Sequence, residues 1–345
     1  MSKKIDDSFF KLVRSFLTVY LPRNRCYSHN TVRAYRDTIN LFRTFLLESK
    51  NVPFAKINFG MVDHHLVYQF LEWLQATRNC SISTRNQRLA ALKSFLHYCA
   101  TEDPALTAVY MDVQGIVALR DARHGISYLS QNGLKAMLSQ PDPNNKIGLR
   151  NRFFMILMYD TGGRIQEILD LRTRDFCLDF DTPLVYLNGK GNKVRAVPLM
   201  DRTIQHLKEY LRMFHPQYPQ NSDEFLFYTV IKGKKGAMSP DNASVFMKKY
   251  AKQARESFPE IPVDFHAHLF RHSRAMHLYQ SGIPLSYIKD FLGHVSVTTT
   301  SIYASADTSM IRTALEKAAL QGNSTSDIPI WEGDEDMILK LCGLK

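Results

Sequence analysis

The stretch from His268 to Tyr303, HLFRHSRAMHLYQSGIPLSYIKDFLGHVSVTTTSIY, constrains this chain more than any other. His268 and Arg271 stand three apart, so one face of a helix carries both, and both side chains are types that bind phosphate. Gly282 and Pro284 end that helix, and Leu285, Ile288, Phe291 and Leu292 continue as a short second helix with apolar residues at helical spacing. Gly293 breaks it. His294 follows at once, where a left-handed glycine can turn a side chain into a cleft. Thr298, Thr299, Thr300 and Ser301 then lead into Tyr303.

Taken singly, His294 reads as a capping or solvent histidine and Tyr303 as a half-buried aromatic; their joint spacing is what suggests chemistry. Zinc is the competing reading, because His268 and His272 lie four apart with His266 and His277 nearby. A zinc helix of that spacing wants a glutamate after its first histidine. Leu269 stands there, and no cysteine or carboxylate cluster completes a shell, so neither a metal nor any other cofactor is expected.

At 345 residues the chain is long enough for two domains, each with its own core. No apolar run reaches the length of a membrane span, and MSKKIDDSFF lacks the apolar centre of a signal peptide, so a cytoplasmic protein without a membrane partner is expected. Five scattered cysteines at 26, 80, 99, 177 and 342 suit reduced thiols. The net charge of +11, densest before residue 123, favours an anionic partner.

Residues 8–21 show helical periodicity limited by Pro22. Ser28 and Asn30 precede a second helix with Val32, Tyr35, Ile39, Phe42 and Leu46 inward and Arg33, Arg36 and Arg43 outward. A third helix spans Val62 to Ala76. Ser83 is expected to cap a fourth through Leu89, Leu92, Phe95, Leu96 and Tyr98, with Arg85, Arg88 and Lys93 near its start. These cations are either a solvated face or contacts to a nucleic-acid backbone. Residues 113–127, with a glycine near each end and several charges, read as an exposed connection.

Beyond it, Tyr128 to Leu138 reads as an entry helix and Arg152 to Tyr159 as a buried central one. Thr161, Gly162 and Gly163 end the latter and set Arg164 at a turn, where a cation needs either an anionic ligand or a salt bridge to Glu167 or Asp170. Leu184–Leu187 and Val194–Leu199 read as strands joined by the turn-forming Asn188-Gly189-Lys190-Gly191-Asn192. A helix from Asp201, a strand at Phe225–Tyr228, a basic loop KGKKG at 232–236 and a helix at 239–257 follow. Residues 307–320 read as another amphipathic helix, and the tail carries Trp331 and MILKLCGL at 337–344. The chain is therefore expected to be mainly α with a small β-hairpin or sheet, an α+β arrangement.

The pattern H-x-x-R-H, then L-G-H, then a tyrosine nine residues on resembles the C-terminal signature of the tyrosine recombinases, the phage integrase family. TGGRIQEIL at 161–169 resembles that family's first arginine box, and NGKGNKVRAVPL at 188–199 its lysine hairpin. One departure is Gly163, where the family usually shows a bulky apolar residue; a looser turn is expected there. SxNTxxxY at 28–35 and TRNQRLAALK at 84–93 are similar to the family's helical core-binding domain. The resemblance implies a helical core-binding domain over 1–112, a linker over 113–127, a mostly helical catalytic domain over 128–320 and a tail over 321–345, which docks on a neighbouring protomer or on its own core.

It also implies roles. Tyr303 is the nucleophile that forms a 3′-phosphotyrosine, Arg164 and Arg271 clamp the phosphate, and His294 donates to it. His268 takes the tyrosine proton, Lys190 protonates the leaving 5′-oxygen with Lys193 as its competitor, and Glu167 orients the site. Arg33, Arg36, Arg85, Arg88 and Lys93 become candidates for DNA-backbone contacts. The implied protein is a site-specific recombinase of integrase or transposon type, acting as a tetramer on double-stranded recombination sites, with or without accessory proteins. A type IB topoisomerase-like nicking-closing enzyme uses the same chemistry without a synaptic partner, and a noncatalytic DNA-binding protein with a relict site is the reading from another class.

Overall fold

A computed structural model describes residues 7–121, 126–189, 193–216, 222–294, 300, 302–303 and 334–341. The chain is mainly helical with small antiparallel sheets and forms two compact units, Met1–His124 and Gly125–Lys345. The expected helix at 307–320 and Trp331 lie outside the described residues.

In the first unit, α1 (Ser8–Ser15) runs into a π-helical stretch, Phe16–Asn24, that contains Pro22 instead of stopping before it. The wider turn accommodates a ring that would clash inside an α-helix. Helix α2 (His29–Lys50) is capped by Ser28, whose hydroxyl accepts from Thr31 N, and ends on Asn51 in the left-handed region. Helix α3 (His64–Ala76) starts later than expected because Asp63 caps it through Leu66 N. Ser81, not Ser83, caps α4 (Ile82–Glu102), and α5 (Thr107–Gln114) follows. Phe16, Phe45, Leu46, Phe70, Leu71 and Leu96 sit in one apolar core.

The start of the segment expected to be an exposed connection is bound down. Val113 and Ile116 are buried, Lys93 Nζ donates to the carbonyls of Gln114 (2.8 Å) and Ile116 (2.6 Å), and the Asn86 side chain bonds Leu119 through both its N–H and C=O. Lys93 thus caps the end of α5, where a cation suits the orphan carbonyls.

The second unit is built around α7 (Lys146–Thr161), apolar nearly all round and packed against α6 (Gln131–Ser139), α9 (Asp201–Phe214), α10 (Pro240–Arg255) and α11 (His268–Gln280). After α7 come the single-turn α8 (Ile165–Leu169) and a three-stranded antiparallel sheet in the order β1 (Phe176–Cys177), β2 (Leu184–Asn188), β3 (Val194–Pro198). Its register pairs Val185 with Val197 and Leu187 with Arg195, which fixes those four on one face.

The basic KGKKG segment is a hairpin, not a loop. Strands β4 (Tyr228–Ile231) and β5 (Lys234–Ala237) pair across Lys232-Gly233, both at positive φ, as a two-residue hairpin turn requires. The strand expected at Phe225–Tyr228 begins only at Tyr228; Phe225 makes an isolated bridge to Arg172. Helix α12 (Leu285–Leu292) follows α11, and α13 (Glu335–Leu341) lies in the tail. No helix among the described residues is long and apolar enough to cross a membrane.

Gly148, in the first turns of α7, shows how tightly this helix is seated: a Cβ there would lie 2.1 Å from the Asp142 carbonyl oxygen. Glycine to alanine inside a helix gains about 1 kcal/mol of propensity, while overpacking against backbone costs about 1–3 kcal/mol. Gly148→Ala is therefore expected to lose up to about 2 kcal/mol net, read as a lower urea midpoint. An unchanged or higher midpoint would mean the Asp142 turn yields freely.

Candidate active site

Helix α7 ends on Gly162 (φ +57°), and a Cβ there would meet Leu292 Cδ2 at 2.8 Å and Phe291 Cε1 at 3.0 Å. The end of α7 therefore touches the end of α12, where Gly293 (φ +66°) closes a Schellman cap: His294 N bonds Lys289 O and Gly293 N bonds Asp290 O. Arg271, from α11, joins the two ends. Its Nη1 donates to Gly162 O at 2.7 Å and its Nη2 to Leu292 O at 2.6 Å, with the residue only 3% exposed. Both acceptors are carbonyls left over at helix C-termini, where the helix dipole favours a cation.

Two residues beyond Gly162, Arg164 opens α8. Its Nη1 meets Glu167 Oε1 at 2.6 Å, and its own backbone N–H donates to Glu167 Oε2 at 2.9 Å. The salt bridge that sequence offered as one option does form, yet the Arg164 side chain remains 34% exposed and open to a further anion. Arg195 on β3 takes the second oxygen, Nη2 to Oε2 at 2.8 Å. Burial alone would raise the Glu167 carboxyl, but the hydrogen bonds from Arg195 and Arg164 hold it below its ordinary range. The turn at Gly163 is not loose: a Cβ there would stand 2.7 Å from Ile168 Cδ1, so Ile168 already fills the space.

Tyr303 is 1% exposed, in a cluster with Ala275, Met276, Ile288 and Leu292. Its hydroxyl lies 3.0 Å from Nδ1 of His272, one turn beyond the expected His268. The rings of His268 and His272 are 6.4 Å apart by centroid, so His268 is a neighbour of the pair and not the contact. Nδ1 of His294 lies 2.9 Å from the buried Thr300 hydroxyl. Lys190 lies outside the described residues, as does the rest of 190–192.

The electrostatics follow from burying cations together. Burial and the charges of Arg164 and Arg195 push Arg271 down to about 10. Burial, then neighbouring histidines and Arg271, lower His272 to about 4; burial, then Arg271 and Arg164, lower His294 to about 4. His268 is lowered by the same causes, burial first. Burial raises Tyr303 against the pull of Arg271. At neutral pH the imidazoles and the phenol are uncharged and the arginines carry the positive field. No group of metal-ligating side chains occurs among the described residues.

Arg195 and His272 were not singled out from sequence. In strand alternation Arg195 shares the inward set with Val197, and a cation at an inward position calls for an acid. His272 carried only its four-residue spacing from His268. In the first unit, Arg33 and Arg36 are exposed on α2, whereas Arg85 is 4% exposed and Arg88 Nη1 is spent on Ala34 O and Thr38 Oγ1, both at 3.0 Å. With Lys93 capping α5, two of the five candidate cations, Arg88 and Lys93, tie elements of the first unit together, and a third, Arg85, is buried on α4.

The chain is similar to known proteins over most of its length. The model described as the phage integrase family matches residues 127–310, and that of the phage integrase N-terminal SAM-like domain matches 14–103. A putative integrase/recombinase, y4rC, from Sinorhizobium fredii is 30% identical over 92% of this chain and 94% of its own. The tyrosine recombinase XerC of Staphylococcus epidermidis is 24% identical over 88% and 95%. Among solved structures, the XerH site-specific recombinase in a post-cleavage complex with its difH substrate superposes with a TM-score of 0.65 at 23% identity, covering 96% of this chain and 91% of that one. The Tn1549 transposon integrase with transposon right-end DNA gives 0.66 at 18% identity, covering 88% and 98%. The chain belongs to the phage integrase family: it is a tyrosine recombinase, an enzyme of site-specific recombination that cleaves and rejoins DNA.

Because the folded imidazoles of His272 and His294 lie below the ordinary value of about 6.5, the unfolded chain takes up protons first as pH falls. Stability is fully present above about 6.5 and is lost progressively towards about 4. The melting temperature is expected to drop by a few degrees between neutral pH and about pH 5, and less in His294→Asn. An equal drop in the variant would contradict a buried neutral His294.

Proposed function

We propose that Tyr303 is the nucleophile and His272 its proton acceptor. The 3.0 Å contact between His272 Nδ1 and the Tyr303 hydroxyl carries this reading. A neutral imidazole with its proton on Nε2 has a lone pair on Nδ1 for the phenol proton. The phenol oxygen attacks the scissile phosphorus, its proton passes to His272, and the bond to the 5′-oxygen breaks, leaving a 3′-phosphotyrosine and a 5′-hydroxyl. The bond energy is kept in the adduct, so rejoining is the reverse step. Lys190 protonates the departing 5′-oxygen in this reading.

Arg164 and Arg271 hold the nonbridging oxygens through guanidinium N–H groups that have no hydrogen bond among the described residues. His294 adds a donor: a Thr300 hydroxyl donating to Nδ1 leaves the proton on Nε2. The phosphate also supplies the counter-charge that the crowded arginines lack, which raises the basicity of His272 when substrate is bound. With Tyr303 1% exposed, its side chain must become accessible before its hydroxyl can reach a phosphate, so in this reading cleavage waits on DNA binding.

The substrate is a duplex recombination site, gripped in the first unit by Arg33 and Arg36, with strand exchange inside a tetramer and any accessory proteins outside the catalytic step. Domain limits of 1–112 and 128–320, a linking segment over 113–127 and a cytoplasmic setting fit this reading.

Covalent capture tests it. DNA left attached after detergent denaturation is sequenced, and adduct formation is then timed on a nicked duplex of the recovered site. Sharp sites absent with Tyr303→Phe are expected, with His272→Ala slowing cleavage about 10²–10⁴-fold and His268→Ala less. Scattered attachment would favour topoisomerase-like action. A larger loss for His268→Ala than for His272→Ala would overturn the assignment of the base.

A further inference from the structure

Arg195 has no part in the reaction described above, yet it is only 12% exposed by side chain and lies on the apolar face of the β2–β3 hairpin. It pairs in register with the buried Leu187, two residues from Val197, so strand geometry forces it inward. Its one acidic partner among the described residues is Glu167, which also holds Arg164 through both oxygens. One buried carboxylate therefore serves two guanidiniums.

That stoichiometry matters for Arg164. Were Glu167 paired with Arg164 alone, the two charges would cancel and a phosphate would meet little more than a dipole. With Arg195 on the second oxygen the trio keeps a net positive charge, and Glu167 is held in place from two sides. A second observation fixes Arg195 itself: a Cβ on Gly293 would lie 3.2 Å from its Cδ, 3.5 Å from Nη1 and 3.7 Å from Nε. The arginine thus runs against the backbone immediately before His294. Its buried Nε has no hydrogen-bond partner among the described residues, so the guanidinium is held by Glu167 without being saturated.

We propose that Arg195 is a positioning residue of the phosphate clamp: by sharing Glu167 it keeps Arg164 aimed at the scissile phosphate with its charge available. The proposal rests on the reading of Arg164 as a clamp residue. It assigns Arg195 no contact with the reacting atoms.

The test compares cleavage of two nicked duplexes, one with the ordinary scissile phosphate and one with a methylphosphonate there, which lacks the charge a clamp must balance. Adduct formation is timed for wild type, Arg195→Ala, Arg195→Lys and Arg164→Ala, with DNA affinity and melting temperature measured alongside. On the ordinary phosphate, Arg195→Ala is expected to be roughly 10- to 100-fold slower, and Arg195→Lys intermediate, because an ammonium still pairs with Glu167. On the methylphosphonate the Arg195 losses shrink to about threefold or less, in parallel with Arg164→Ala.

Equal losses on both substrates would reduce Arg195 to a structural role and overturn the proposal, as would wild-type cleavage by Arg195→Ala. Relief of the Arg195 defect by a bridging 5′-thiolate leaving group would place its effect at the leaving oxygen and overturn it too. If Arg195→Ala does not fold, Arg195→Lys carries the same comparison. Failure of the methylphosphonate to relieve Arg164→Ala would sink the clamp reading itself, a separate result.

Discussion

The two hydrogen bonds from Arg271 to Gly162 O and Leu292 O are the constraint on which the site depends. Each acceptor ends a helix, and each helix end leads within two residues to a side chain of the proposed reaction: Arg164 after Gly162, His294 after Leu292. A single guanidinium, planar and forked, can satisfy two carbonyls that point at one place and still present donors to a ligand. A lysine ammonium that held both ends would keep one donor, where the guanidinium keeps three. The close packing of Gly162 against Leu292 and Phe291 is the apolar counterpart of those bonds.

The arrangement concentrates positive charge in a partly dry place, which is unfavourable until an anion arrives. Arg271 and the histidines of the site are all lowered, first by burial and then by one another. Glu167 is the internal carboxylate that makes the cluster tolerable, and it is buried between Arg164 and Arg195. In the proposed reaction a phosphodiester entering this field replaces solvent with fixed donors that were oriented before it came, the condition under which electrostatic stabilisation of a transition state costs no reorganisation.

Much of this was legible in the sequence, for reasons that differ residue by residue. Helical spacing brings out His268 and Arg271, the resemblance to the family's signature brings out His294 and Tyr303, and glycine chemistry brings out the turns at Gly162 and Gly293. Tertiary choices were less visible. Whether the tyrosine meets His268 or His272 depends on how the segment carrying Tyr303 packs under α11, which spacing does not encode. Arg195 announced itself only through strand alternation. In α4 the signal was present and overlooked: Arg85 precedes Leu89 and Leu92 by four and seven residues, the register of a buried stripe, so its burial follows from the same periodicity that identified the helix. The KGKKG hairpin was hidden because its second strand, Lys234–Ala237, is exposed throughout and carries no alternation.

The most direct measurement is amide hydrogen exchange of Arg271→Met beside wild type, in the absence of DNA. If Arg271 ties the two helix ends together, protection falls in both 161–166 and 288–294 while the centre of α7, Phe153 to Leu157, keeps its protection. Undiminished protection at both ends in the variant would mean that packing alone assembles the site, and would contradict the central place given to Arg271.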